Sequence, residues 1–203
     1  MSTDSKSLED VAKELLSFSG KVKGEIVLNH IEYIREKEGE GGLKKLTKKL
    51  EELGVPANLH KTKPLDWVEE GISALIIIAS KEVFFWEEKD VFEMGRIAPQ
   101  FSLSLKMIAQ NFVPPKRLFE ESPTYWNNLF DFGKIEPVRY SEKYKSATIR
   151  IKEYKTHPLI CIYHAGYLQG ITEFVLKTKK VSVKETRCIY KGDSCNEYKL
   201  SWK

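Results

Sequence analysis

Cys161-Ile-Tyr-His164-Ala-Gly166-Tyr167, then Glu185-Thr-Arg-Cys188, then Lys191-Gly192-Asp193-Ser-Cys195: the reading of these three segments decides the fold of the chain. They hold all three of its cysteines. Cys161 lies near the start of an apolar helix that opens at Pro158 and runs to about Leu176. The Lys191-Gly192-Asp193 turn predicts a hairpin whose strands are Val181 to Tyr190 and Cys195 to Trp202. Cys188 and Cys195 then face each other, within reach of a thiol on the neighbouring helix. A metal site, a redox pair and a chance grouping are all compatible with that arrangement.

Upstream, Ser146 to Lys152 alternates, with Ala147, Ile149 and Ile151 on one side and Thr148, Arg150 and Lys152 on the other. This is the pattern of a half-buried strand. Before it the spacing is helical. Ser7 precedes Leu8, Val11, Leu15 and Leu16, with Asp10 as its capping partner, and Gly20 closes that helix. Gly24 to Lys37 carries Val27, Ile31 and Ile34 on one stripe and ends at Gly39-Glu-Gly-Gly42; Leu43 to Leu53 follows, stopped by Gly54 and Pro56. Length favours a buried helix over a strand for the apolar stretch Leu65 to Phe85. A further helix runs from Asp90 to about Gln110, with Phe92, Ile97, Phe101, Leu105 and Ile108 available for packing, until Val113-Pro-Pro115 breaks it. The chain reads as α+β: helices first, then strand-strand-helix-strand-strand. Residues 1–20 are expected to form an N-terminal helix, and 21–203 a single domain.

Composition places the chain among ordinary globular proteins, with 41% hydrophobic and 31% charged residues. The net charge of +4 is spread without a basic block, so nucleic acid is not an expected partner. The opening MSTDSKSLED lacks the apolar core of a signal peptide. The longest apolar run, Ile72 to Ala79, falls short of the roughly 20 residues that a membrane span needs, so no membrane is expected. An odd number of cysteines suits a reducing compartment better than a disulfide scaffold, and the expected location is the cytoplasm.

Together with Gly170, the C-terminal segments resemble the 4-vinyl-reductase-type small-molecule-binding domain, over about Ile135 to Trp202. Its superfamily includes the haem nitric-oxide-binding proteins and the TRAPP vesicle-tethering subunits. The resemblance implies a helical layer packed on a C-terminal antiparallel sheet, often dimeric, around a small apolar ligand pocket. In the phenol-sensing activators of this family a structural zinc is held by a helix-start cysteine, a glutamate three residues before a second cysteine, and a third cysteine. The matching residues here are Cys161, Glu185, Cys188 and Cys195. The hairpin between Cys188 and Cys195 is slightly shorter than in those sensors.

Thiolate sulfurs and a carboxylate in a tetrahedron are ordinary zinc chemistry, and four protein ligands leave no open position for water. Strand alternation alone puts Glu185 and Cys188 on opposite faces, so a bulge or strand end is required between them. His164, three residues after Cys161 on the helix, is a rival for the place of Glu185. Haem is not expected. The haem-binding relatives carry Tyr-x-Ser-x-Arg, and Tyr144-Lys-Ser146-Ala-Thr148 has threonine where the arginine belongs. His30, His60 and His157 stand in polar contexts and are expected at the surface. Gly166 and Gly170 share a helix face and suit close packing.

Pockets for small molecules are mostly apolar with a few placed polar groups, which makes Tyr125, Trp126, Phe130 and Tyr167 the candidate ligand-binding residues. Trp126 and Tyr167 can also donate a hydrogen bond. The chain carries no nucleophile elbow, P-loop, dinucleotide fingerprint or metalloprotease motif, and no catalytic residue is assigned. The expectation is a sensory or carrier domain for an apolar or aromatic small molecule, acting through a homodimer or a regulatory partner protein. A tethering scaffold and a tetrapyrrole vinyl-reductase component are the alternatives that the resemblance carries.

Overall fold

The structure, a computed structural model, describes residues 6–57, 59–110 and 114–203. The side chains at 60 and 107–110 lie outside that description, and with them the expectations placed on His60, Ile108 and Val113. The chain forms two compact units, one ending at Trp86 and one beginning at Glu87. The first helix lies within the first of these units.

In the first unit, α1 (Leu8–Leu16) starts at Ser7, whose hydroxyl accepts from the Asp10 amide at 3.2 Å and donates to the Asp10 carboxylate at 2.8 Å. β1 (Lys21–Lys23) leads into α2 (Gly24–Glu52), and β2 (Trp67–Glu69) into α3 (Glu70–Val83). Val22 pairs with Val68 in an antiparallel ladder. The stretch expected as one helix from Leu65 therefore begins as a strand, because Trp67 to Glu69 find backbone partners in β1. The two helices expected over 24–53 are one, interrupted only where Gly39 takes φ +70°. α3 is buried from Gly71 through Ala74 to Ser80 along most of its length, which accounts for the peak of apolar density. His30 is a correction: it is 1% exposed, with Nε2 at 3.2 Å from the Ser73 hydroxyl. Burial pulls its imidazole down to about 3, so the ring is neutral and packs as an apolar side chain would.

The second unit holds α4 (Glu88–Phe101), α5 (Leu103–Gln110), α6 (Pro115–Glu120) and α7 (Ser122–Leu129). β3 (Lys134–Ser141), β4 (Ser146–Lys152), α8 (Pro158–Leu176), β5 (Val181–Arg187) and β6 (Asn196–Trp202) complete it. The helix expected from Asp90 to Gln110 breaks at Ser102, which turns extended and accepts the Leu105 amide on its hydroxyl at 3.2 Å. The strands form an antiparallel sheet in the order β3-β4-β6-β5. The architecture is thus α+β with the expected strand-strand-helix-strand-strand end.

Ala147, Ile149 and Ile151 of β4 and Asn196, Tyr198 and Leu200 of β6 are buried on one sheet face. The other face carries charge pairs, Arg150 with Glu197 and Lys152 with Glu136, each at 2.7 Å. The edge strand β3 is blunted by Pro137 and a register shift between Pro137 and Arg139.

α8 starts with Pro158 in its first turn, and His157 caps it by accepting the Leu159 amide on Nδ1 at 3.2 Å. The helix packs against β5 and β6 and also against α4. A methyl group at Gly166 would sit 1.9 Å from the Phe92 carbonyl oxygen; at Gly170 it would sit 2.0 Å from that of Arg96. One at Gly95 would sit 2.1 Å from the Tyr163 carbonyl. The two helices therefore touch backbone to backbone, and α4 buries Val91, Met94, Gly95 and Ala98 while Phe92, Ile97 and Phe101 remain half-buried. Buried Glu173 on α8 accepts from Arg96 of α4 at 2.8 Å. By length and composition α8 would also pass for a membrane span; its packing between α4 and the sheet explains the same composition as that of a core helix.

Candidate metal centre and ligand-contact residues

On β5, Val183 pairs with Leu200 and Glu185 with Tyr198, which puts Glu185 on the face that α8 covers. The register then shifts between Glu185 and Arg187. That irregularity reverses the alternation and returns Cys188 to the interior, where it is 6% exposed. The sulfurs of Cys161 and Cys188 and a carboxylate oxygen of Glu185 consequently lie within 4.8 Å of one another. The loop after Cys188 holds it in place. Its amide donates to the Asp193 carboxylate at 2.8 Å, and its carbonyl accepts from Lys191 and Asp193 at 2.9 and 3.2 Å. The Ile189 amide donates to the Asn196 side chain at 2.9 Å, and Gly192 takes φ +95° to close the turn.

All three cysteines are free thiols. Burial pushes the Cys161 thiol up to about 12, with Cys188 and Glu185 adding to the effect. Without a cation this sulfur keeps its proton; a bound divalent ion would displace it. Two buried polar atoms at this corner have no hydrogen-bond partner, Glu185 Oε1 and the Tyr190 hydroxyl. Their neighbours are engaged: Lys191 Nζ lies 3.4 Å from Glu185 Oε2, and the Tyr198 hydroxyl donates to the Cys161 carbonyl at 3.0 Å. Sulfur donors with one carboxylate suit zinc and similar thiophilic ions.

Cys195, expected as the remaining ligand, is not in this set. It is buried, in the bend that precedes β6. His164 is outside the set too.

His164 instead belongs to an aromatic cluster. Trp126 stacks on Phe130 with ring centres 4.0 Å apart, and Tyr154 meets His164 edge-on at 4.7 Å. Trp126 lies 5.9 Å from Tyr154 and 6.3 Å from His164. The Trp126 indole donates to the Phe132 carbonyl at 3.1 Å, so its polar handle is spent on backbone. Nδ1 of His164 is buried without a hydrogen-bond partner, and burial pulls this imidazole down to about 3.

Of the four residues expected to touch a ligand, Trp126 and Phe130 gather here. Tyr125 donates its hydroxyl to Glu121 at 3.1 Å, and Tyr167 stacks on Tyr163 at 6.5 Å along α8. Tyr154 and His164 complete the cluster without having been assigned to it from sequence. The available signal was a histidine inside an otherwise apolar helix.

No protein-family model matches this chain, and no curated protein does. Solved structures do match in fold. An oxygen-binding H-NOX domain related to soluble guanylate cyclases, in its oxygen complex, aligns with a TM-score of 0.63 at 13% identity, covering 89% of this chain and 95% of that one. An H-NOX protein from S. oneidensis in the Fe(II)NO state aligns at 0.63 with 14% identity, over 89% and 99% of the two chains. A Cs H-NOX mutant gives 0.64 at 13% identity, over 89% and 96%. The chain has the fold of these haem nitric-oxide-binding domains.

This finding corrects the expectation about haem. The arginine missing from Tyr144-Lys-Ser146-Ala-Thr148 was the ground for setting haem aside, yet the structures that share the fold are those of a haem family. The residues can be tested against such a group. His164 provides a buried imidazole nitrogen with no competing partner, which is the donor that a haem iron requires. The carboxylate-binding side is different in kind. Thr148 stands at the arginine position, and Arg150, next on the same face, is held by Glu197 and Glu136.

Proposed function

We propose that the chain is a small-molecule-sensing or carrier domain whose guest is apolar with one coordinating or hydrogen-bonding group. Its state would be passed on through a second copy of the chain or a partner protein. The observation that carries this reading is the fold, matched over 89% of the chain to gas-binding H-NOX domains. Trp126 and Phe130 offer the guest aromatic surface, with Tyr154 beside them. His164 offers the polar contact. With its proton on Nε2, the ring presents a lone pair at Nδ1, which would accept a phenol-type hydroxyl or bind a haem iron. Haem, when bound, would supply the site for a diatomic gas.

In the same reading Cys161, Glu185 and Cys188 take a thiophilic divalent cation, zinc by its donor chemistry, and tie α8 to the terminal ribbon. Cys161 is one helical turn from His164, so a guest at the histidine would bear on the cation corner through the rigid first half of α8. A ligand shifts an equilibrium only by its different affinity for two states, and that turn of helix is where the difference would be felt.

Native mass spectrometry of the full chain, with metal analysis, tests the reading. The expected result is a stoichiometric small molecule on the purified protein, or saturable uptake of added haemin or a phenol, lost in His164→Ala while the circular dichroism is unchanged. A chain that carries nothing and takes up neither probe would end this proposal.

A further inference from the structure

The Cys161, Glu185 and Cys188 set offers three donors, and the geometry points to a fourth position filled from outside the chain: a cation site open to ligand exchange rather than a sealed structural knot. This rests on the cation reading above and deepens it. A thiophilic divalent ion in a tetrahedral site asks for four ligands; sites sealed by protein supply all four, and sites that keep three hold water or substrate in the fourth place.

Among the described residues, the groups that might close the shell lie outside the close set or are engaged by hydrogen bonds. Cys195 is buried outside the set. His164 lies outside the set as well, its ring among Trp126 and Tyr154. The Tyr198 hydroxyl donates to the Cys161 carbonyl. The Asp193 carboxylate accepts the Cys188 amide, and the Asn196 side chain accepts that of Ile189. Lys191 can only donate, and it lies on Glu185 Oε2.

What remains is the Tyr190 hydroxyl, two residues after Cys188, buried and without a hydrogen-bond partner. A neutral phenol is a better hydrogen-bonding companion than a zinc ligand. Its proton suits a thiolate, and its oxygen suits a water or an N–H group sitting on the ion. Charge decides the class of exogenous ligand. Two thiolates and a carboxylate exceed a divalent cation by one negative charge, so a small neutral Lewis base of the imidazole, amine or water type is favoured over an anion.

Cobalt(II) is the probe, because its visible bands report coordination geometry and its near-ultraviolet sulfur charge-transfer bands count thiolates. The full chain, freed of metal and loaded with Co²⁺, should bind one equivalent with a two-thiolate tetrahedral spectrum. Added imidazole should shift the visible bands saturably while the cobalt stays bound through gel filtration. Cys195→Ser should leave both the spectrum and the Co²⁺ affinity within about twofold of wild type, whereas Cys188→Ser should weaken binding by about tenfold or more. Tyr190→Phe should keep the cobalt and weaken the imidazole shift.

A spectrum indifferent to imidazole overturns the open position, whether Tyr190 or another group fills it. So does a thiolate band lost in Cys195→Ser. Failure of the underlying cation reading looks different. There the chain takes up no cobalt, or takes it up equally in Cys161→Ser, Cys188→Ser and Glu185→Gln, each checked for folding by circular dichroism.

Discussion

On its α4 side, α8 sets Gly166 and Gly170 against the carbonyls of Phe92 and Arg96 with no room for a methyl group, and Glu173 there is bonded to both Arg96 and Gln169. On its ribbon side, the same helix sets Cys161 beside Glu185 and Cys188, where a carboxylate oxygen and a phenol hydroxyl lie buried with no partner. The first contact needs nothing further. The second leaves polar groups whose desolvation is offset only when another species arrives. One helix thus makes a closed backbone seam in one direction and, in the proposed reading, one side of a cation site in the other.

The comparison predicts unequal responses to mutation. The largest belongs to the seam. Gly166→Val places two methyl groups and a Cβ where a carbonyl oxygen already sits, so either the helices part or the strand side must yield. The expected loss is about 3 kcal/mol or more, beyond the usual range for overpacking because the obstacle is backbone. Urea denaturation measures it. A loss below about 1 kcal/mol would show that the seam can open and that the two sides of α8 do not differ in this way. Trp126→Ala comes next. It empties the aromatic cluster and should cost about 3 kcal/mol, with faster release of whatever molecule the protein retains. Stability lost without any change in retention would return Trp126 to the core.

Much of this contrast was present in the sequence, though unevenly. The alternation from Ser146 to Lys152 set the strand and its faces, and the need for an irregularity between Glu185 and Cys188 followed from the period of a strand. Gly166 and Gly170 marked the seam. The partner surface was misjudged, because Phe92 and Ile97 look like a core stripe while the face actually buried is Gly95 with Ala98. Close approach selects small residues, and small residues carry little periodic signal.

The short ladder of β1 with β2 was invisible for another reason: three residues are too few for a period, and their pairing is long-range. Histidine was the third difficulty. A neutral ring in an apolar setting has the same letter as a charged one in water, so neither the depth of His30 nor the cluster around His164 could be read. The spacing grouped Cys195 with Cys161, Glu185 and Cys188, whereas the close set holds the other three.

His164 gives a smaller, pH-dependent effect. In the unfolded chain its imidazole takes a proton below about 6.5, and in the folded protein only near 3. Between those values the unfolded state binds more protons, so stability falls as the pH drops through that window. The slope should approach about 1.4 kcal/mol per pH unit for this residue once the pH is well below 6. His30 contributes in the same direction from the first unit, and depressed carboxylates such as Glu197 add to the loss at lower pH. The difference between wild type and His164→Gln isolates the one residue. Parallel curves for the two proteins from pH 7 to 4 would mean that the ring is protonated where it stands.

The smallest expected effect is the sharpest for the comparison. Tyr190→Phe deletes a buried hydroxyl that has no partner, so in the cation-free protein it removes a desolvation cost and breaks no bond. Stability should change by no more than about 0.5 kcal/mol, and the sign should favour phenylalanine. Tyr198→Phe is the control on the same ribbon. Its hydroxyl donates to the Cys161 carbonyl from a fully buried position, and its loss should cost about 1 kcal/mol or more. Equal losses for the two tyrosines in the cation-free chain would show that the Tyr190 hydroxyl already has an acceptor, and that the ribbon side of α8 is as complete as the seam.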